Sequence, residues 1–423
     1  MANPQPSPGA QPKIVQTLLK RTAIALIAGA AIFIGLRYVQ SRKGDFDNGG
    51  DSSGMIAAIP IEPNGQQAVL IKPSGAIVGT KSWRDGVTDR EPVWAPDGKF
   101  LFFCSDRTDN TFNVFRWNPQ ADDAESRTKK GSGRSNPTFA PGATDDKPLI
   151  AAGGFVRELD PATGGAEQIL PPVNAEIARS GGGDEEGTEG SLSVYGSLGK
   201  SFRIARYLPD RKSIVGILRR DEGESLILQA LTPGENGKVP KPQPIAAGDH
   251  IDFDIDPTSG TVVFSVQGFR WPDPASVPDQ FRKNGRLTVP FRNMVGLVDS
   301  AKGQQTIVAA APDDRAAFGS PRVSPDGTRM LLVQGKVEDG SLRPEALLTL
   351  PLREGGIQQA SPLVRGEVYE PSWSPDSKRI AYAKRAGGYR ELFTMGADGN
   401  DEKSLTNGKG DFMTPLFSPM QAK

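Results

Sequence analysis

The chain has 423 residues, with 50 basic and 50 acidic side chains, one histidine and one cysteine. Balanced charge excludes an overall electrostatic pull toward nucleic acid or acidic partners. One cysteine forbids an internal disulfide, one histidine forbids a zinc centre built on several histidines, and 49 glycines and 36 prolines mark a turn-rich globular chain.

Residues 1–13 begin MANPQPSPGAQP, a Pro-rich stretch with too little apolar surface to order itself, so a disordered terminus is expected. An anchor helix with basic flanks is expected over residues 14–43. Its centre, Thr22 to Leu36 (TAIALIAGAAIFIGL), is uncharged, with Lys20 and Arg21 before it and Arg37, Arg42 and Lys43 after it. As a helix this segment rises about 22 Å, against a hydrocarbon core of roughly 30 Å. Extension to Val39, with Arg37 snorkelling and Tyr38 at the interface, nearly closes the gap. Thr22, Ile27, Phe33, Leu36 and Tyr38 mark the anchor.

The competing reading is a cleaved secretory signal, but RYVQSRKG follows the apolar run where small residues are needed. A lipoprotein signal needs a cysteine there, and the single cysteine is Cys104. Lys13, Lys20 and Arg21 balance Arg37, Arg42 and Lys43, so the basic residues alone do not orient the helix. Ala25 with Gly29 and Ala31 with Gly35 form small-xxx-small pairs able to seat a second helix.

Residues 44–54 read as a Gly/Asp/Ser linker. Its GDSSG (Gly50 to Gly54) fits G-x-S-x-G in letters only, because a nucleophile elbow needs a strand before it and a helix after it.

From residue 55 onward one unit repeats. Met55 to Thr80 (MIAAIP, QQAVLIKPSG, AIVGT) reads as the second, third and fourth strands of a unit lacking its first. Then come EPVWAPDGKFLFFCS (Glu91 to Ser105), NPTFAPG (Asn136 to Gly142), ARYLPDRKSIVGIL (Ala205 to Leu218) and DFDIDPTSGTVVFSV (Asp252 to Val266). SPRVSPDGTRMLLV (Ser320 to Val333) and EPSWSPDSKRIAYAK (Glu370 to Lys384) follow, and TPLFSP (Thr414 to Pro419) is an opening strand with nothing after it.

Each copy reads as strand, tight turn, strand. Proline pre-sets φ at the second turn position, aspartate bonds back to the chain, and glycine tolerates positive φ. In the Glu370 copy a third strand, Glu391 to Met395, a turn ADGND and a short SLT complete four strands. Copies start about every 45 to 70 residues, the spacing of propeller blades with insertions. Pairing the last strand with the first segment removes exposed sheet edges. Seven blades are counted on this basis; six or eight follow if the Asn136 or Ala205 copies are parsed otherwise.

WSPDSKRIAYAK with ELFTMGADG, and WAPDGKFLFFCS with NVFRW, resemble the WD40-like (PD40) repeat of TolB-like β-propellers, over about Met55 to Pro419. The resemblance implies an all-β propeller and fixes function only loosely, since propellers host unrelated activities. It also points to a cytoplasmic N-terminus and a periplasmic propeller.

Catalytic constellations are sparse. His250 opens a strand in which Asp252, Asp254 and Asp256 alternate with Ile251, Phe253 and Ile255, placing three carboxylates on one face. Calcium needs six to eight oxygens in a looped geometry, so these aspartates are read as solvated or locally hydrogen-bonded. GSGRS at Gly131 lacks the spacing of a phosphate loop, and after Pro419 no hydrolase domain follows. Trp94 and Trp373 occupy one repeat position and are read as core between blades.

Two insertions stand out. Pro171 to Lys200 contains the acidic SGGGDEEGTEGS. Gly268 to Pro290 combines Phe269, Trp271 and Phe281 with Arg270, Arg282, Lys283 and Arg286, the residue types that anchor protein interfaces. With the Gly268 insertion read as a second-to-third-strand connection and the Pro171 insertion as a fourth-to-next-blade connection, both emerge on one face of the scaffold.

The sequence therefore reads as a single-pass bacterial inner-membrane protein whose periplasmic seven-bladed propeller, residues 55–423, is closed by its terminal strands. It is expected to act as a non-catalytic interaction or scaffold module for an unknown cell-envelope partner, with no cofactor, metal or nucleic acid. The alternative is a propeller enzyme or ligand-binding protein acting on a glycan or peptide in the central channel.

Overall fold

The structure, a computed structural model, describes residues 54–79, 84–108, 110–119, 124–128, 135–152, 154–171, 201–235, 237–271, 282–283, 286–287, 292–300, 304–353 and 356–419. The expected N-terminal disorder, anchor helix and most of the linker lie outside these residues. So do the GSGRS glycines and nearly all of the Pro171 insertion. No helix among the described residues is long and apolar enough to cross a membrane.

Contacts divide the chain into residues 1–49 and a second unit from Gly50 to Lys423. The second unit is built from antiparallel β-sheets, with one short 3-10 turn, Gly356–Gln359, among the described residues. Asp89–Trp94, Leu101–Ser105, Asn113–Trp117 and Ala124–Ser126 form a four-stranded sheet in chain order. Ser135–Thr138, Leu149–Ala152, Phe155–Leu159 and Ala166–Leu170 form another. Ala316–Val323, Arg329–Glu338, Ser341–Pro351 and Ser361–Arg365 make a third, and Val368–Trp373, Arg379–Ala386, Tyr389–Gly396 and Lys403–Ser404 a fourth.

Between the second and third of these, Ser201–Tyr207, Ser213–Arg219, Glu224–Ala230, Gln243–Ile255, Val262–Arg270, Met294–Asp299 and Gln304–Ala310 run as one seven-stranded sheet. The long strand Gln243–Ile255 serves two neighbours. Residues 243–248 pair with Glu224–Ala230, and residues from Ala247 to Ile255 pair with Val262–Arg270.

The last of the larger sheets is closed by the end of the chain. Asp411–Phe417 pairs antiparallel with Ile56–Ile61, which continues to Val69–Ile71 and Ile77–Gly79. Neither Ile56–Ile61 nor Asp411–Phe417 is left to present an open edge to the other, the closure a β-propeller uses.

The strands after each turn are continuous apolar runs because both of their faces are covered. In Leu101–Ser105 (LFFCS) every residue is buried. Core clusters form between sheets: Ala57, Ile59, Leu70, Trp94, Leu101, Phe103, Phe115 and Trp117 join the closing sheet to the Asp89 sheet. Leu331, Val333, Leu347, Trp373, Ile380, Tyr382 and Met395 do the same between the Ala316 and Val368 sheets. Each such large side chain contributes about 1.5–3 kcal/mol when fully buried.

The turns behave as their residues require. Asp97, Asp210, Asp256, Asp326 and Asp376 each accept the backbone N–H two residues ahead, at 2.9–3.1 Å. Gly98 and Gly327 hold the left-handed position at φ 69° and 70°, and Arg211 and Ser377 keep it at 56° and 59° without a glycine. Ser377 adds a bond that glycine cannot make, its Oγ accepting the N–H of Asp326 at 3.1 Å.

Candidate functional site: a charge belt on the inner strands

The first strand of each unit carries an extra residue. Register slips fall between Arg90 and Val93, Ser135 and Thr138, Phe202 and Ile204, Asp249 and Asp252, Gly319 and Arg322, and Tyr369 and Ser372. At Glu91, Asn136, Ser320, Glu370 and Thr414 the backbone is left-handed, φ 48–56°, and a proline follows each. Proline has no N–H to give the ladder, which suits an inner edge strand at a bulge. A left-handed β-branched residue such as Thr414 is unusual.

The bulges aim side chains at the neighbouring sheet. Glu91 Oε2 accepts the N–H of Asn136 at 2.6 Å, and Glu370 Oε2 accepts that of Thr414 at 2.5 Å. Asn136 donates through Nδ2 to the Arg203 carbonyl at 2.6 Å, and Thr138 Oγ1 donates to the Ala205 carbonyl. Arg203 pairs with Glu224 at 2.6 Å and reaches the Ile251 carbonyl, while Glu224 accepts the Ile251 N–H at 3.0 Å. Trp94 and Trp373 donate their indole N–H backward, to Leu416 at 3.1 Å and to Arg322 at 2.9 Å.

The aspartates singled out in the sequence are part of this belt. Asp254 bridges two neighbours, pairing with Arg206 at 2.6 Å and accepting the Val323 N–H at 2.8 Å. Asp252 pairs with Arg322 at 3.0 Å. Asp256 is turned away, into its own turn with Thr258 and Ser259. Asp256 is bonded only locally; Asp252 and Asp254 meet partners 48 to 70 positions away, a distinction that alternation alone did not make.

Arg322 is the belt's pivot. Burial alone lowers its pKa, but Asp252, Asp254 and Glu370 outweigh that and hold it above the ordinary arginine value. Its side chain stays 32% exposed, so solvent screens the pairing and each surface-like pair is worth of order 1 kcal/mol or less. Burial pushes the Glu370 carboxyl above the usual range, against lowering by the Thr414 N–H, Arg322 and Arg390.

Glu91, Glu224, Asp252, Asp254 and Glu370 thus each already accept a backbone N–H or a guanidinium proton. Among the described residues no three His, Cys, Asp or Glu side chains converge as a metal-ligand set. His250 is exposed within the Asp249 slip, at φ 47°. Cys104 is fully buried, and burial, with Glu91 nearby, pushes its thiol well above the ordinary range.

The insertion residues fall in several places. Phe269 is buried, and Trp271 packs edge-on against it with ring centroids 4.9 Å apart, both on the core of their own sheet. Arg270 is exposed and donates to the Glu222 carbonyl at 2.9 Å. Arg282–Lys283 and Arg286–Leu287 pair as a separate two-stranded hairpin. Phe281 lies outside the described residues, as do Thr22, Ile27, Phe33, Leu36 and Tyr38. Sequence reading passed over Arg203, Arg206, Glu224, Arg322 and the bulge glutamates. The available signal was the X-Pro pair two residues before the packed aromatic or branched position.

No protein-family model matches the chain. The protein described as uncharacterized peptidase YuxL, from Bacillus subtilis (strain 168), is 30% identical over 114 residues, 25% of this chain. The chain spans only 17% of that relative's length. Among solved structures the chain is similar to TolB from Acinetobacter baumannii, at 16% identity and TM-score 0.45, covering 87% of this chain and 67% of that one. An oligogalacturonate lyase in complex with manganese is similar at 13% identity and TM-score 0.49, covering 83% and 85%. The β-propeller domain of the Trilobed protease from Pyrococcus furiosus is similar at 12% identity and TM-score 0.44, covering 75% and 84%. The propeller architecture rests on the strand pairing and junction bonds above.

Proposed function

We propose that this chain is a seven-bladed propeller held at the bacterial inner membrane by its apolar N-terminal segment, with the propeller in the periplasm. There it serves as a non-catalytic interaction module for a cell-envelope partner. Dividing the seven-stranded sheet at Gln243–Ile255 yields the seventh blade, and inner-strand side chains then bridge all seven blade junctions. The uncharged run TAIALIAGAAIFIGL between basic flanks supports the anchor.

The observation that carries the non-catalytic reading is the engagement of the belt. Its carboxylates hold neighbouring blades together and leave no pair poised to exchange protons with a substrate. The two long insertions fall in connections instead. The Gly268 excursion joins a second to a third strand, and the Pro171 insertion joins a fourth strand to the next blade. Both belong to one end of the sheets. A unit's first strand enters at that same end, and the first-to-second-strand junction lies at the other, where Phe417 at the end of the closing strand pairs with Ile56 at the start of the next.

The test is a mild-detergent pull-down of the tagged full-length chain, beside a variant in which residues 272–290 are replaced by a short Gly/Ser linker so that Phe269 and Trp271 stay in place, with mass spectrometry of the bound proteins. A stoichiometric membrane or envelope partner that is lost with the excursion is the expected result. Identical capture by both versions removes the excursion from the proposal. No partner with either, from a folded protein, overturns the module reading in favour of a ligand in the channel.

A further inference from the structure

We draw no further inference here: the strongest candidate, the hairpin tip Ala386 to Tyr389, where Tyr389 stands 53% exposed next to the Arg343, Glu367 and Arg385 cluster, carries nothing because no feature of the structure shows what covers it.

Discussion

Trp94 donates its indole N–H to the carbonyl of Leu416 at 3.1 Å, joining residues 322 positions apart. The bond ties the Asp89 sheet to the closing strand, and its counterpart from Trp373 to Arg322 spans only 51 positions. Repeat position decides the geometry in both cases, and sequence separation is irrelevant to it. At the closure, though, the bond reinforces a junction that only non-covalent pairing holds shut.

Trp94→Phe keeps most of the buried ring and removes the N–H donor to the Leu416 carbonyl. The expected cost is about 1–3 kcal/mol, read as a lower urea midpoint at unchanged slope. An unchanged midpoint would show that the closure does not depend on this bond.

Asp89 is fully buried and accepts both of its Arg107 contacts, at 2.7 and 2.9 Å, plus the Ala68 N–H of the neighbouring sheet at 2.9 Å. Asp89→Asn strands a buried guanidinium and should cost about 3–5 kcal/mol. Adding Arg107→Met should restore much of that loss. Equal stability of the single and double variants would rule out the charge as the cause.

Glu370 and Asp376 should respond to pH in opposite directions. Burial raises the folded pKa of Glu370 above its unfolded value, so its contribution is fully present below the ordinary glutamate range and is lost as pH rises through the folded pKa. The Ser374 hydroxyl and the Lys378 N–H lower the pKa of Asp376, so its contribution is present above the ordinary aspartate range and is lost as pH falls through the folded pKa. Denaturant melts at a series of pH values check this. Glu370→Gln should gain stability relative to the parent as pH rises, and Asp376→Asn should lose it. Parallel curves for parent and Glu370→Gln would contradict the assigned direction.

Gly335 lies where Arg329–Glu338 crosses Ser341–Pro351, and a Cβ there would fall 2.0 Å from the Arg343 carbonyl oxygen. Backbone cannot move aside as a flexible side chain can. Gly335→Ala should therefore cost about 1–3 kcal/mol, seen as a drop in thermal midpoint, whereas Gly340→Ala, with open space but φ 74°, reports backbone strain alone. Equal midpoints for the Gly335 variant and the parent would mean the strands relax apart freely.

Much of the fold was legible because its determinants are local. Pro-Asp-Gly places a turn wherever it occurs, and an apolar run such as LFFCS declares a strand covered on both faces. An opening strand at Thr414 with no successor, and three strands at Met55 with no predecessor, together implied the closing pair. Departures from consensus, as at Arg211 and Ser377, did not hide the repeat because the backbone keeps the left-handed angle anyway.

The belt was not legible in the same way. Alternation assigns a side chain to a face, but it does not say which residue waits across the junction; the partners of Glu91, Asp252 and Asp254 lie 45, 70 and 69 positions ahead. Nor does it register a bulge, where one added residue re-aims everything beyond it. Composition likewise marked Phe269 and Trp271 as interface types, and in the structure Phe269 is buried in the core of its own sheet with the partly buried Trp271 packed against it. The amino-acid sequence by itself determined strands and turns, since these depend on neighbours within a few residues. Only the tertiary structure decided which charges meet, because ion pairing and burial depend on distances between sheets that no local pattern encodes.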